Sequence, residues 1–337
     1  MEQRFSIRDK DVPLSLRGLL TAIATLVAAF AVTATPAIPS ATADAAVTKV
    51  SNKVEIRCAF TTLRQSSDWY FPSGAPKALL WLQHGFAGAN DAMDDTARKF
   101  AAEGFLVFAP TLPTANLLGC TLENLGNNTD FLHNVADLFG KATDAKDKLG
   151  RSFAEAKGKA GRPELTMPTA MVFAGHSAGG EAVPYVTQEL RADYAAAFAT
   201  LRGVILYDPV KSFIGNNLSS SLNHLSNTSL PVLTIAAPPY SCNRNGSGTA
   251  EVLEQLSRTF YGVRLTSGSH VDAEASSAPV TDKTACGAPQ AKNVEALQRL
   301  SVAWAGDFVS GATTADYYPG GGYYESLRTA GTLTTLS

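Results

Sequence analysis

The chain is poor in histidine, with five among 337 residues, and poor in cysteine, with four. It also lacks an excess of either charge: 28 Lys and Arg stand against 30 Asp and Glu, a net of −2. No basic stripe or cluster is present, so nucleic acid is not an expected partner. No Cys-x-x-Cys pair or His-rich spacing points to a metal site. No internal repeat is found. What remains is ordinary globular composition, 45% hydrophobic and 17% charged, with enough apolar material for a large core.

The first 45 residues stand apart from that core. Arg4, Arg8, Lys10 and Arg17 precede an apolar run over 19–32, followed by the small-residue stretch Ala41-Thr42-Ala43-Asp44-Ala45. A charged start, an apolar segment and an A-x-A site read as an export signal. An uncleaved membrane anchor is the alternative, since apolar character persists to about Ile38. Pro36, Pro39 and two candidate cleavage sites favour removal, and with it a secreted chain with no stable membrane insertion. In an oxidising compartment four cysteines suggest two bridges. Three pairings are open. Cys58–Cys120 and Cys242–Cys286 are preferred, because Cys242 and Cys286 flank the segment carrying His270.

Beyond the export segment, short apolar runs alternate with amphipathic ones. Strands are expected at 77–83, 105–110, 170–174, 203–207, 231–236 and 263–266. Helices are expected at 91–103, 130–139, 142–159, from about 180 to 190, at 250–260 and at 293–308. Such alternation implies crossover connections, and hence an α/β fold: a mainly parallel central sheet with helices on both faces. A single domain over 46–310 is expected, and 311–337 reads as an irregular tail that packs over the sheet edge or lies loose.

The sharpest local pattern is Gly175-His176-Ser177-Ala178-Gly179, a G-x-S-x-G pentapeptide between an expected strand and an expected helix. Its chemistry needs a serine on a strained turn, with its hydroxyl above the sheet. Flanking glycines remove Cβ atoms that would collide there. A hydroxyl needs an adjacent base, itself oriented by an acid, and with this pentapeptide the partners follow in the order serine, acid, histidine. His133 precedes the serine, His84 and His176 lie in turns, and His224 falls in the polar insertion 211–230. His270, directly after the strand at 263–266, is left as the base.

For the acid, the strand ending at Ala236 is followed by no Asp or Glu before Glu251. Asp208, in Tyr207-Asp208-Pro209-Val210, is the carboxylate at a permitted strand end. Asp272 is the reserve, more suited to bracing the loop. The backbone N–H groups of Ala178 and Phe86 are the candidate oxyanion donors, with Gly85 and Gly88 allowing close approach of the backbone.

Over residues 77–308 these features resemble the α/β-hydrolase superfamily. Gly-His-Ser-x-Gly-Gly, Asp-Pro-Val and a late Gly-x-His-x-Asp resemble the chlorophyllase-like esterases, whose acid lies in the Asp-Pro-Val segment. That resemblance likewise implies Asp208. Plant chlorophyllases carry arginine where this chain has Ala178. His-Gly-Phe and Gly-His-Ser are also similar to the bacterial cutinases and polyester hydrolases, which take their acid from the following strand.

The expected function is a secreted esterase or lipase that cleaves carboxylic esters through an acyl-enzyme. It would act on a small-molecule, lipid or polymer ester, and no cofactor is implied. Amide or thioester hydrolysis on the same residues, a cutinase-like polyester hydrolase and a non-catalytic binding module are the alternatives. The absence of a long cap-like insertion favours short or soluble acyl esters. Phe86, Phe213 and Tyr240 are candidates to shape an acyl pocket, and oligomeric state is left open.

Overall fold

The computed structural model describes residues 46–336; the expected export segment lies outside them. Among the described residues there are nine strands: β1 (Thr48–Cys58), β2 (Thr61–Phe71), β3 (Ala78–Gln83), β4 (Phe105–Pro110), β5 (Met171–His176), β6 (Leu201–Tyr207), β7 (Val232–Ala236), β8 (Gly262–Leu265) and β9 (Leu333–Thr335). They form one sheet in the order β1-β2-β4-β3-β5-β6-β7-β8-β9. The six strands from β4 across to β8 run parallel. β1, β2 and β9 are antiparallel additions at the two edges.

The helices are α1 (Asp94–Ala102), α2 (Thr129–Gly140), α3 (Lys148–Lys159), α4 (Gly179–Asp193), α5 (Ala195–Phe198), α6 (Asn217–Ser226), α7 (Ser247–Gln255), α8 (Val280–Cys286), α9 (Ala291–Ser310) and α10 (Gly322–Thr329). Among the described residues no helix is long and apolar enough to cross a membrane.

The central strands are buried on both faces, as a continuous apolar run requires. The two-residue period of a strand divides their side chains between two cores. Leu79, Trp81, Leu106, Phe108 and Phe173 join Leu132, Val135, Val183 and Leu222, from α2, α4 and α6, on one side. Leu80, Leu82, Val107, Val172 and Ala174 join Phe100, Leu297, Leu300 and Trp304, from α1 and α9, on the other. Each large apolar side chain sealed in this way contributes about 1.5–3 kcal/mol.

Two expectations need correction, and one element is new. The β1–β2 hairpin was not anticipated, although Val50, Val54, Ile56 and Cys58 alternate inward along β1. The helix expected from 142 begins at Lys148, where the Asp147 side chain caps the first turn, and it buries Leu149, Phe153 and Ala156. The tail is not irregular: α10 buries Tyr324 completely, and β9 pairs with β8. A three-residue strand has too little pattern of its own and takes its conformation from the edge it joins.

Both preferred cysteine pairs are formed. Cys58–Cys120 joins the end of β1 to the loop after β4, with Cα atoms 5.8 Å apart. Cys242–Cys286 joins the loop after β7 to the end of α8, at 5.4 Å.

Candidate active site

Parallel strands deliver their carboxyl ends to one edge of the sheet, where ligands of open α/β sheets usually bind. Ser177 sits there, between β5 and α4, with φ at +56°. This left-handed conformation costs a residue with a side chain about 1–3 kcal/mol. Hydrogen bonds hold it: Ser177 N–H donates to the Tyr207 carbonyl at 3.0 Å, and its carbonyl accepts from Gly180 and Val210 at 2.9 and 3.0 Å. The flanking glycines are needed for space. A Cβ at Gly175 would lie 2.3 Å from the Gly179 carbonyl oxygen, and one at Gly179 would lie 2.5 Å from that of His84.

His270 lies in the loop after β8. Its Nε2 is 2.8 Å from Ser177 Oγ, and its Nδ1 is 2.6 Å from Asp208 Oδ2. With the proton on Nδ1, the ring donates to the carboxylate and accepts from the serine hydroxyl. All three residues are buried, Ser177 the most exposed at 8%. The main chain of His270 is held from both sides. Its N–H donates to the Tyr240 hydroxyl at 2.7 Å, and its carbonyl accepts from His176 Nε2 at 2.7 Å. The Tyr240 hydroxyl in turn donates a hydrogen bond to the Cys286 carbonyl at 2.7 Å.

Asp208, at the end of β6, accepts the Ala237 N–H on Oδ1 at 3.0 Å. Asn243 Nδ2 donates to both carboxylate oxygens, at 3.3 and 3.1 Å. The reserve acid, Asp272, does not reach the imidazole. It accepts from the backbone N–H of Ser269 at 2.8 Å and of Gln290 at 3.2 Å, bracing the loop that carries His270. Burial pushes its carboxyl up to about 6.

The turn after β3 presses against Ser177. A Cβ at Gly85 would lie 2.8 Å from Ser177 Cβ and 3.4 Å from its hydroxyl oxygen. Neither the Phe86 nor the Ala178 N–H has a protein acceptor among the described residues, so both donors are free for an incoming oxygen. The Phe86 side chain is half exposed.

His84 and His176 were passed over as turn residues, and both are buried parts of the scaffold. His84 Nε2 accepts the Leu112 N–H at 3.0 Å, which assigns the proton to Nδ1, donating to the Gly85 carbonyl at 2.6 Å. Burial lowers its pKa to about 4, so it stays neutral. His176 uses Nε2–H on the His270 carbonyl, and its Nδ1 lies 3.3 Å from Glu274 Oε1. Burial disfavours its charge, but the Glu274 carboxylate outweighs that effect and raises its pKa. Neither role had a local signal, because each partner lies on another element. The same holds for Asn243 and Tyr240.

His224 is exposed on α6, and its Nδ1 lies 2.7 Å from the Ser220 carbonyl. The insertion 211–230 is less polar than expected, since α6 buries Leu218, Leu222 and Leu225. His133, Glu189 and Asp193 bring three ligand atoms within 4.8 Å of one another, an arrangement able to hold a cation. They lie at the far end of α4 from Ser177, about 20 Å along a helix of that length, and His133 Nδ1 is already hydrogen-bonded to Glu189 Oε2 at 2.9 Å.

Neither a protein-family model nor a curated protein matches this chain.

Proposed function

We propose that the chain is a serine hydrolase of the α/β-hydrolase type, cleaving carboxylic esters through an acyl-enzyme. One observation carries the reading: a single imidazole spans Ser177 Oγ and Asp208 Oδ2, at 2.8 and 2.6 Å, beside two N–H groups without acceptors.

In this mechanism Ser177 Oγ attacks the ester carbonyl carbon while its proton passes to His270 Nε2. Asp208 remains ionised and stabilises the imidazolium through Nδ1–H. The carbonyl oxygen, now an anion, takes the Ala178 and Phe86 N–H bonds. When the tetrahedral intermediate collapses, the carbon–oxygen bond to the alcohol breaks, and the alcohol leaves with the Nε2 proton. Water then attacks the acyl-serine, giving up its proton to Nε2, and the carboxylic acid departs as Oγ is reprotonated.

Asp208 in an Asp-Pro-Val segment supports a place beside the chlorophyllase-like esterases, and two disulfides suit an oxidising compartment and a secreted chain. A fluorophosphonate probe and a series of p-nitrophenyl esters test the reading. Wild type should label and turn over esters, and Ser177→Ala should do neither. A correctly folded wild type that stays unlabelled would overturn it.

A further inference from the structure

Eight large apolar side chains are exposed among the described residues. Six of them, Phe86, Leu117, Leu118, Leu125, Phe213 and Ile214, stand on the loops after β3, β4 and β6. Those loops all leave the sheet at its carboxyl edge, around Ser177. A random scatter of exposed apolar residues needs no explanation, but a cluster at one edge marks a binding surface.

The loops are knitted together and to the nucleophile. Leu112 N–H bonds His84, and Asn124 N–H donates to Ser212 Oγ at 3.0 Å. Ser212 in turn bonds Glu181, in the first turn of α4. Val210, three residues before Phe213, donates to the Ser177 carbonyl. Leu117 is fully exposed and Phe213 is 83% exposed, so the ring projects outward instead of filling the core.

Charge is nearly absent from this surface. Residues 111–128 contain one charged side chain, Glu123, and residues 209–217 contain one, Lys211. Both are paired, Glu123 with Arg244 at 2.5 Å and Lys211 with Glu251. Arg244 also covers the Phe213 ring, 3.5 Å from its centre. A surface made for an anionic bilayer would present free lysine or arginine. The loop after β3 adds one exposed carboxylate, Asp91, so these loops present hydrocarbon and no unpaired cation.

We propose that this ring of exposed apolar loop residues around Ser177 adsorbs the protein to a neutral, water-insoluble ester phase, delivering ester groups at that interface to Ser177. The proposal rests on the hydrolase reading and names its substrate class. It replaces the expectation of short, soluble esters, which followed from the missing cap: without a cap, the apolar ring itself meets the substrate phase.

The test uses the full chain with the ring intact and with Leu117→Ser, Leu118→Ser, Leu125→Ser and Ile214→Ser combined, each also carrying Ser177→Ala for binding measurements. The intact ring should float with triolein droplets at least about tenfold more tightly than the substituted one, at low and high salt alike. With Ser177 present, both forms should hydrolyse dissolved p-nitrophenyl acetate within about twofold of each other, since truncating exposed side chains leaves the site unchanged. Equal flotation, or none by the intact ring, overturns the proposal. So does tighter, salt-sensitive binding to phosphatidylserine vesicles. A dimer seen by light scattering and abolished by the ring substitutions also overturns it, because a second copy would then cover the ring. Absent flotation with normal acetate turnover removes the ring proposal alone, whereas absent turnover and labelling in wild type removes the hydrolase reading beneath it.

Discussion

Asn243 donates one side-chain N–H group to both oxygens of the Asp208 carboxylate, at 3.3 and 3.1 Å, from a fully buried position. Its own carbonyl oxygen accepts from Tyr240 and Gly246, both at 2.9 Å, so the amide orientation is determined from both ends. In the proposed mechanism Asn243 is therefore a positioning residue for Asp208. Removing its N–H leaves the carboxylate more basic and strengthens its hold on the His270 imidazolium. Asn243→Ala should lower kcat by about 10–100-fold and move the acid limb of the kcat/KM profile to higher pH. Lower activity with an unmoved limb would reduce Asn243 to a packing role.

Asp208 and Asp272 should separate cleanly. Asp208→Asn leaves His270 without its acceptor and should cost about 10⁴-fold in kcat with the fold intact. Asp272→Asn keeps one acceptor for its two N–H partners and should cost less than about tenfold. Kinetics on the two single variants checks this, and reversed losses would make Asp272 the acid.

Asp272 also predicts a pH dependence of stability. Burial raises its folded carboxyl to about 6 from an ordinary 3.8, so between those values the folded chain binds more protons than the unfolded one. Its contribution to stability is therefore present below about pH 4 and is lost as pH rises through 6. Relative to Asp272→Asn, wild type should lose up to about 3 kcal/mol across that window. Denaturant midpoints measured from pH 4 to 7 provide the test.

The two disulfides should differ in what they protect. Cys58–Cys120 closes a loop of 62 residues away from the candidate triad, and by the chain-entropy argument its loss costs about 4 kcal/mol. Replacing both cysteines by serine should lower Tm and leave kcat/KM unchanged at temperatures where the chain is folded. Cys242–Cys286 sits beside Asn243, and the Cys286 carbonyl holds Tyr240 beneath His270. Its replacement should reduce kcat even in folded protein.

Gly85 faces Ser177 too closely for a side chain. Gly85→Ala should displace the 84–88 turn and reduce kcat/KM by about 10²-fold, with a stability loss of only about 1–3 kcal/mol. Parallel thermal melts and ester kinetics distinguish the two effects.

The elements that could be read from the chain were those with strong local periodicity. The six parallel strands are short apolar runs bounded by glycine, proline or polar residues, and most helices carry an apolar stripe. The β1 alternation was equally readable, but its partner β2 carries Arg64, Gln65 and Asp68 and gives no such pattern. Within the site, Ser177 stood out by its glycines, and Asp208 and His270 by chain order and by the scarcity of rivals.

Chain order and residue type alone determined the alternating α/β layout, the cysteine partners preferred, and which serine, acid and histidine to consider. Only the tertiary structure decided what surrounds them: Asn243 on Asp208, Tyr240 and His176 on the His270 main chain, Asp272 on the loop, and the gathering of apolar loop residues around Ser177. The reason is physical. Periodicity and turn chemistry act over a few residues, whereas these contacts join positions tens of residues apart. Strand order is what brings the loops after β3, β4 and β6 to the same edge.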